Sequence, residues 1–274
     1  MNPARVRCRE QRTGQRRNKN EEAAVEVEIA TLSQQGGRAY NEDVFGLWHD
    51  RRFVACVVAD GAGGHGGGDV AAATARSSVL GAFAAAPGLD AGRLRELLAQ
   101  ANRAVVARQA EGGRLAAMRS TVVLAAIDLR DRLFAWAHSG DSRAYMFRGG
   151  ALAARTVDHS LVQQLVSGGM IDEGRARVHP LRNLLLSALG AADDALEISV
   201  SAHMPLAAGD VLLLCSDGVW EVLGDEWLGG ALQASSTPAQ WVARIDQEIK
   251  SRAKPGHDNY TAVVLWLHAD VDAA

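Results

Sequence analysis

Phe53-Val54-Ala55-Cys56-Val57-Val58-Ala59-Asp60-Gly61 runs straight on into Ala62-Gly63-Gly64-His65-Gly66-Gly67-Gly68. The first seven residues are apolar without a break, as in a strand buried on both faces, and the Asp-Gly pair ends it as a tight turn would. A turn needs one or two glycines. Here they continue to Gly68, which lets the backbone come close to a ligand and present carbonyl or amide groups to it. No Gly-Lys-Ser or Gly-Lys-Thr follows, and no Gly-x-Gly-x-x-Gly opens a helix in a βαβ unit, so nucleotide binding is disfavoured.

The pairing of an apolar run with an acid recurs. Val211 to Cys215 is apolar and leads into Ser216-Asp217-Gly218; further runs cover Thr121 to Leu129, Leu133 to Ala137 and Thr261 to Leu267. Val25, Val27 and Ile29 alternate with Glu26 and Glu28, the period of a half-buried strand and the start of the folded part. One helix is predicted to open near Asp69. A second is capped by Asp90, carries Leu94, Leu97, Leu98, Ala101 and Val105 on one face, and stops at Gly112-Gly113; a late one starts at Thr237-Pro238 with Trp241, Val242, Ile245 and Ile249 inward. Strands dominate and do not alternate with single helices, so the pattern predicts an α+β fold with antiparallel sheets.

A chain of 274 residues with 48% hydrophobic and 22% charged residues buries a large core and fits one domain. The charge is uneven: seven of the 29 Lys and Arg but one of the 32 Asp and Glu fall in residues 1–20, so that segment carries +6 and the rest −9 of the chain's net −3. Residues 1–24 therefore read as a basic, disordered tail, and 25–270 as the folded domain. No apolar stretch is long enough to span a bilayer, and the basic start runs into Gln11-Arg12-Thr13-Gly14-Gln15 instead of a signal core, which points to the cytoplasm. The three cysteines fit a reducing compartment, with Cys56 and Cys215 in apolar runs.

Four acidic motifs stand in order: Arg38-Ala39-Tyr40-Asn41-Glu42-Asp43, Asp60-Gly61, Ser216-Asp217-Gly218 and His257-Asp258-Asn259. Carboxylates at the ends of neighbouring strands make an oxygen-only ligand set, which suits hard divalent ions such as Mg²⁺ or Mn²⁺ and suggests a metal-dependent hydrolase. A thiolate phosphatase is excluded, since it needs an Arg six positions after its Cys and Glu221, Ala62 and Gly14 occupy those places.

With Val58-Ala59-Asp60-Gly61 and Ser139-Gly140-Asp141-Ser142-Arg143 added, the set resembles, in order and approximate spacing, the metal-dependent Ser/Thr protein phosphatases of the 2C type. The similarity runs from about residue 27 to 268, and Asp158-His159-Ser160 through Ala188-Leu189-Gly190 looks like the flap of bacterial members. It implies two packed antiparallel β-sheets flanked by helix pairs, an α-β-β-α sandwich. It also implies that Asp60 bridges two metal ions, that the Gly61 carbonyl with Glu42 and Asp43 serves one, and that Asp217 and Asp258 hold the other. Asp141, with Asp217, would form a third, weaker site; a hairpin turn with Asp141 bonding its own backbone is the alternative. Arg38 would bind the substrate phosphate, its planar fork matching two phosphate oxygens. Two such ions activate a water and offset the charge of in-line displacement at phosphorus.

The chain departs from some relatives in having Ala62 where they place a His after the Asp-Gly pair, so the general acid is unassigned; His65 is close in sequence, and His138 reads as structural. The implied partners are phosphorylated proteins and a Ser/Thr kinase that the enzyme opposes in signalling. A binding or sensing module that has lost catalysis is the alternative, but such a module would be expected to lose acidic ligands, and all four motifs keep theirs. A nuclease would want a basic groove with stacking aromatics, which the acidic body lacks, so no nucleic acid is expected.

Overall fold

The computed structural model describes residues 4–6, 25–62 and 67–269. In chain order β1 (Ala4–Val6), β2 (Val25–Gln34), β3 (Asp43–His49) and β4 (Phe53–Ala62) precede a helix pair, α1 (Gly68–Ala85) and α2 (Ala91–Gln109). Five strands follow: β5 (Arg119–Ser120), β6 (Val122–Asp128), β7 (Leu133–Ser139), β8 (Arg143–Arg148) and β9 (Ala151–Arg155). The short helices α3 (Leu161–Ser167) and α4 (Glu173–Arg177) lead to β10 (Ser199–Val200), β11 (Met204–Pro205) and β12 (Val211–Cys215). A second helix pair, α5 (Asp217–Gln233) and α6 (Pro238–Arg252), then feeds β13 (Tyr260–Ala269).

The strands form two antiparallel sheets, ordered β1-β2-β13-β12-β8-β9 and β10-β7-β6-β4-β3, with β11 on β7 and β5 on β4. Successive side chains point to opposite faces of a strand, and the central strands bury both. In β4, Val54, Cys56 and Val58 face the layer between the sheets, while Ala55, Val57 and Ala59 face α1 and α2. In β12, Leu212 and Leu214 enter the same inter-sheet layer, and Val211, Leu213 and Cys215 pack under α5 and α6. Continuous apolar runs are what a strand between two cores requires, and the result is the expected α-β-β-α sandwich.

Three features differ from the sequence-based expectation. β3, at a sheet edge, is of intermediate burial through most of its length and offers no continuous apolar run; it carries Gly46, where a Cβ would crowd the Leu80 and Arg76 side chains of α1. α5 follows directly on β12, and its glycines mask the helical signal; Gly224, at φ 73°, breaks it into two pieces. Lastly, Ala4–Val6 is not a free part of the tail, since it pairs antiparallel with Val27 to Ile29 at the edge of the first sheet. The tail expectation is thereby corrected for those three residues, and 7–24 lie outside the described residues. No helix among the described residues is long and apolar enough to cross a membrane.

Candidate metal centre and phosphate site

Strand pairing begins the site. In the β3–β4 register Asp43 stands opposite Asp60, so the first two acidic motifs meet across one pair of backbones. The backbone of Asp60 is tied to Ser120 of β5 and to Thr121 beside it: its N–H donates to Thr121 Oγ1 at 3.1 Å, and its carbonyl accepts from Thr121 N–H at 2.8 Å and Ser120 Oγ at 3.0 Å. Just beyond, α1 starts on top of the Asp-Gly turn. A side chain at Gly61 would overlap the Gly68 carbonyl, and one at Gly68 would overlap Glu42 Oε1, so this close approach accounts for glycine at both ends of the loop. Residues 63–66, His65 included, lie outside the described residues.

Asp217 arrives from the other sheet, as the first residue of α5 immediately after β12. Ser216 occupies the cap position, yet its hydroxyl does not cap the helix. It donates to Asp43 Oδ2 at 2.6 Å and accepts from Thr261 N–H at 3.0 Å, stitching the two sheets together beneath the acids. Gly218 lies against the Asn259 carbonyl, leaving no room for a Cβ. Asn259 in turn accepts from Glu42 N–H at 2.9 Å and donates to the carbonyls of Gln35 and Tyr40 at 2.7 and 3.0 Å. One side chain thus pins the 35–42 loop that carries both Arg38 and Glu42. Neither Ser216 nor Asn259 was assigned a role from sequence, although both adjoin the motif aspartates.

Asp141 is not in a hairpin. β7 pairs with β6 in one sheet and β8 with β12 in the other, so Gly140-Asp141-Ser142 crosses between sheets and delivers the buried Asp141 to the cluster. Its carbonyl accepts from Trp220 Nε1 at 2.9 Å. Arg143 stacks on that indole, its guanidinium 3.5 Å from a ring centroid, and is bidentate to Asp158 at 2.8 and 2.7 Å.

The electrostatics are those of like charges brought together. Loss of water, then repulsion from Asp43, Asp217, Asp141 and Asp258, pushes Asp60 well above the usual carboxylate range. Burial and repulsion, chiefly from Asp141, do the same to Asp217. Burial also raises Asp43 to about 6, Asp141 to about 7 and Glu42 above its ordinary value. Glu42 Oε1, Asp43 Oδ1 and Asp217 Oδ1 are buried without a hydrogen-bond partner. Among the described residues no three of these side chains close into a finished ligand set. Arg38 lies at the rim, half exposed, with Nη2 donating to Asp258 Oδ2 at 2.6 Å.

Orphaned carboxylate oxygens, oxygen donors alone and strong mutual repulsion fit hard divalent cations. The buried Cys56 and Cys215 are free thiols pushed up by burial, unsuited to nucleophilic attack. His138 and His159 stack with ring centroids 4.5 Å apart; His138 Nε2 donates to the Val157 carbonyl, consistent with a structural part.

Comparisons with known proteins agree. Residues 50–268 match the family model described as Stage II sporulation protein E (SpoIIE). The Ser/Thr phosphatase Stp of Listeria monocytogenes is 32% identical over 235 residues, covering 83% of this chain and 90% of that protein. The chain belongs to the metal-dependent Ser/Thr protein phosphatases of the 2C type. Among solved members of this phosphatase family, the Mycobacterium tuberculosis PstP/Ppp structure superposes with a TM-score of 0.73 at 33% identity, over 88% of this chain and 99% of that one. The PstP catalytic domain in complex with two manganese ions gives a TM-score of 0.74 at 31% identity, over 89% of this chain and 99% of that one. These superpositions agree with the α+β fold of two antiparallel sheets described above.

Proposed function

We propose that this chain removes phosphate from phosphoserine and phosphothreonine in proteins, using Mn²⁺ or Mg²⁺ held by the acidic cluster, and so opposes a Ser/Thr kinase in the cytoplasm. The observation that carries the reading is the set of buried, unpartnered oxygens on Glu42, Asp43 and Asp217, grouped with Asp60. Asp60 would bridge two ions, the Gly61 carbonyl with Glu42 and Asp43 would serve one, and Asp217 with Asp258 would serve the other. Asp141 and Asp217 would hold a third. When bound, such a pair supplies a water acidified to near neutral pH and positive charge beside the phosphoryl oxygens.

This chain's own residues do the positioning. Arg38, on the loop pinned by Asn259, presents a planar pair of donors at the rim; binding phosphate means exchanging or sharing its bond to Asp258. Ser216 and Thr121 hold Asp43 and the Asp60 backbone in register, so the ligands need little reorganisation. Ala62 places no proton donor after the Asp-Gly pair, so no side chain is assigned as the general acid for the leaving oxygen. The test is hydrolysis of a small aryl phosphate and of a phosphothreonine peptide, with Mn²⁺ and with excess chelator. Turnover that appears with Mn²⁺ and vanishes with chelator is expected; full activity in chelator would falsify the reading.

A further inference from the structure

Beside the carboxylate cluster, and sharing Arg38, Gly218 and Asp258 with it, lies a cavity of about 800 Å³ between the flap and the start of α5. That volume falls within the roughly 300–1,000 Å³ of built ligand pockets. Its lining is rich in cations, and most are already matched. Arg143 is held by Asp158, Arg155 by Asp225, Arg182 by Glu221 at 3.6 Å, and Arg252 by Glu248 at 2.7 Å. Arg38 is matched by Asp258. Two lining cations, Arg177 and Lys254, have no carboxylate partner among the described residues.

Those two come from different elements. Arg177 ends α4 in the flap, and its guanidinium rests on the kink of α5, where a Cβ at Gly224 would lie 3.1 Å from Nη1. Lys254 sits in the loop between α6 and β13, four residues before Asp258. Around them the lining is partly apolar, through Val162, Val166, Val178, Val222 and Pro255. Val178 is 79% exposed, a large apolar side chain left uncovered on the flap. A pocket that joins uncovered apolar surface to two unmatched positive charges, and opens onto the phosphate rim, is built for a chain segment carrying negative charge.

We propose that this pocket reads the residues flanking the phosphorylated side chain and favours an anionic group there, an acidic residue or a second phosphate, bound by Arg177 and Lys254. The inference rests on the phosphatase reading above and names the substrate class of that same site. Neither residue belongs to the metal or phosphate machinery, so their effect should be confined to substrates long enough to reach the pocket. Beyond about two or three residues from the phosphorylated position, an extended chain has travelled roughly 7–10 Å, which takes its side chains out of the carboxylate cluster.

The test measures kcat/KM of the full-length, Mn²⁺-loaded protein on an aryl phosphate and on phosphothreonine peptides of one length whose flanks carry Ala, Glu, phosphoserine or Lys. Wild type should prefer Glu or phosphoserine over Lys flanks by roughly fivefold or more, with the preference shrinking as salt rises. Arg177→Ala with Lys254→Ala should remove that preference and leave aryl phosphate turnover within about twofold of wild type. Arg177→Glu with Lys254→Glu should reverse it. A Glu-only gain assigns the pocket to acidic residues, and a phosphoserine-only gain assigns it to doubly phosphorylated sites. Equal kcat/KM across all flanks in wild type would overturn the proposal, as would a preference that survives both variants or an equal loss on the aryl phosphate. Absence of aryl phosphate turnover in wild type would instead overturn the phosphatase reading beneath it.

Discussion

Asp60 and Asp217 pose the sharpest question at the scale of single residues, because each is held among like charges with little water to screen them. A carboxylate in that position opposes folding until a cation arrives. Asp60→Asn and Asp217→Asn should therefore each cut turnover by roughly 10²-fold or more, while raising the Tm of the metal-free protein by roughly 2–4 °C, the shift for about 1 kcal/mol in a domain of this size. Calorimetry in chelator, paired with turnover in Mn²⁺, checks both halves; near-normal turnover in either variant would remove that residue from the ligand set. Arg38 and Asp141 separate differently. Losing the exposed guanidinium in Arg38→Ala should raise KM on an aryl phosphate roughly tenfold, about 1.4 kcal/mol. Asp141→Ala should leave binding of the first two ions intact but raise the Mn²⁺ concentration for half-maximal rate. An unchanged metal titration and rate in Asp141→Ala would leave that residue a structural part of the crossing between sheets.

At the scale of elements, β7 and the base of the flap are joined by His138, which donates to Val157 and stacks on His159. Burial, with repulsion from His159, lowers His138 from 6.5 to about 4, so the folded protein keeps the ring neutral where the unfolded chain would protonate it. Between those two pH values the unfolded state binds more protons. Stability contributed by the neutral ring is thus complete above about pH 6.5 and declines as pH falls toward 4, by up to about 3 kcal/mol. His138→Gln keeps a donor for Val157 and lacks the ionisable ring. The acids of the cluster act with the opposite sign in metal-free protein, so the difference between wild type and variant is the quantity to follow. Denaturant midpoints from pH 7.5 to 4.5 should converge at low pH or cross; parallel curves would mean that His138 titrates as it does in water.

For the molecule as a whole, three apolar layers account for its architecture, one between the sheets and one under each helix pair. Of the basic tail, the described residues Ala4–Val6 pair with β2 and form the edge of the first sheet. Three residues of edge pairing are worth little against cores of that extent, so deletion of residues 1–24 should change Tm by no more than about 2–4 °C and leave aryl phosphate turnover unchanged. Any effect of the deletion should appear only with an acidic phosphoprotein or an anionic surface, and should fade as salt rises. Unfolding of the truncated protein, or loss of small-substrate turnover, would make the tail part of the catalytic domain.

The unbroken apolar runs at Phe53 to Ala59 and Val211 to Cys215 already specified strands buried on both faces, because such runs cannot lie on a surface without exposing one of them. Asp90 and Thr237 likewise fixed where helices begin, since capping is satisfied by the side chain at the helix end itself, and both accept from the backbone N–H three residues on. The acids could be named as candidate ligands from their motifs alone. What the linear order could not contain is which sheet each acid comes from. Asp141 read as a possible hairpin because β7 and β8 are neighbours in sequence, and only the pairing of each with a different sheet turns that stretch into a crossing. Ser216 carried no assigned role, and only the packing of the two sheets brings Asp43, 173 residues earlier, within 2.6 Å of its hydroxyl. Arg177 and Lys254 carry no motif, and their unmatched charges meet in one cavity only once the flap lies over α5. Local preferences depend on a residue and its near neighbours, whereas a ligand set and a pocket depend on distances between strands far apart in the chain, which exist only after the cores have formed.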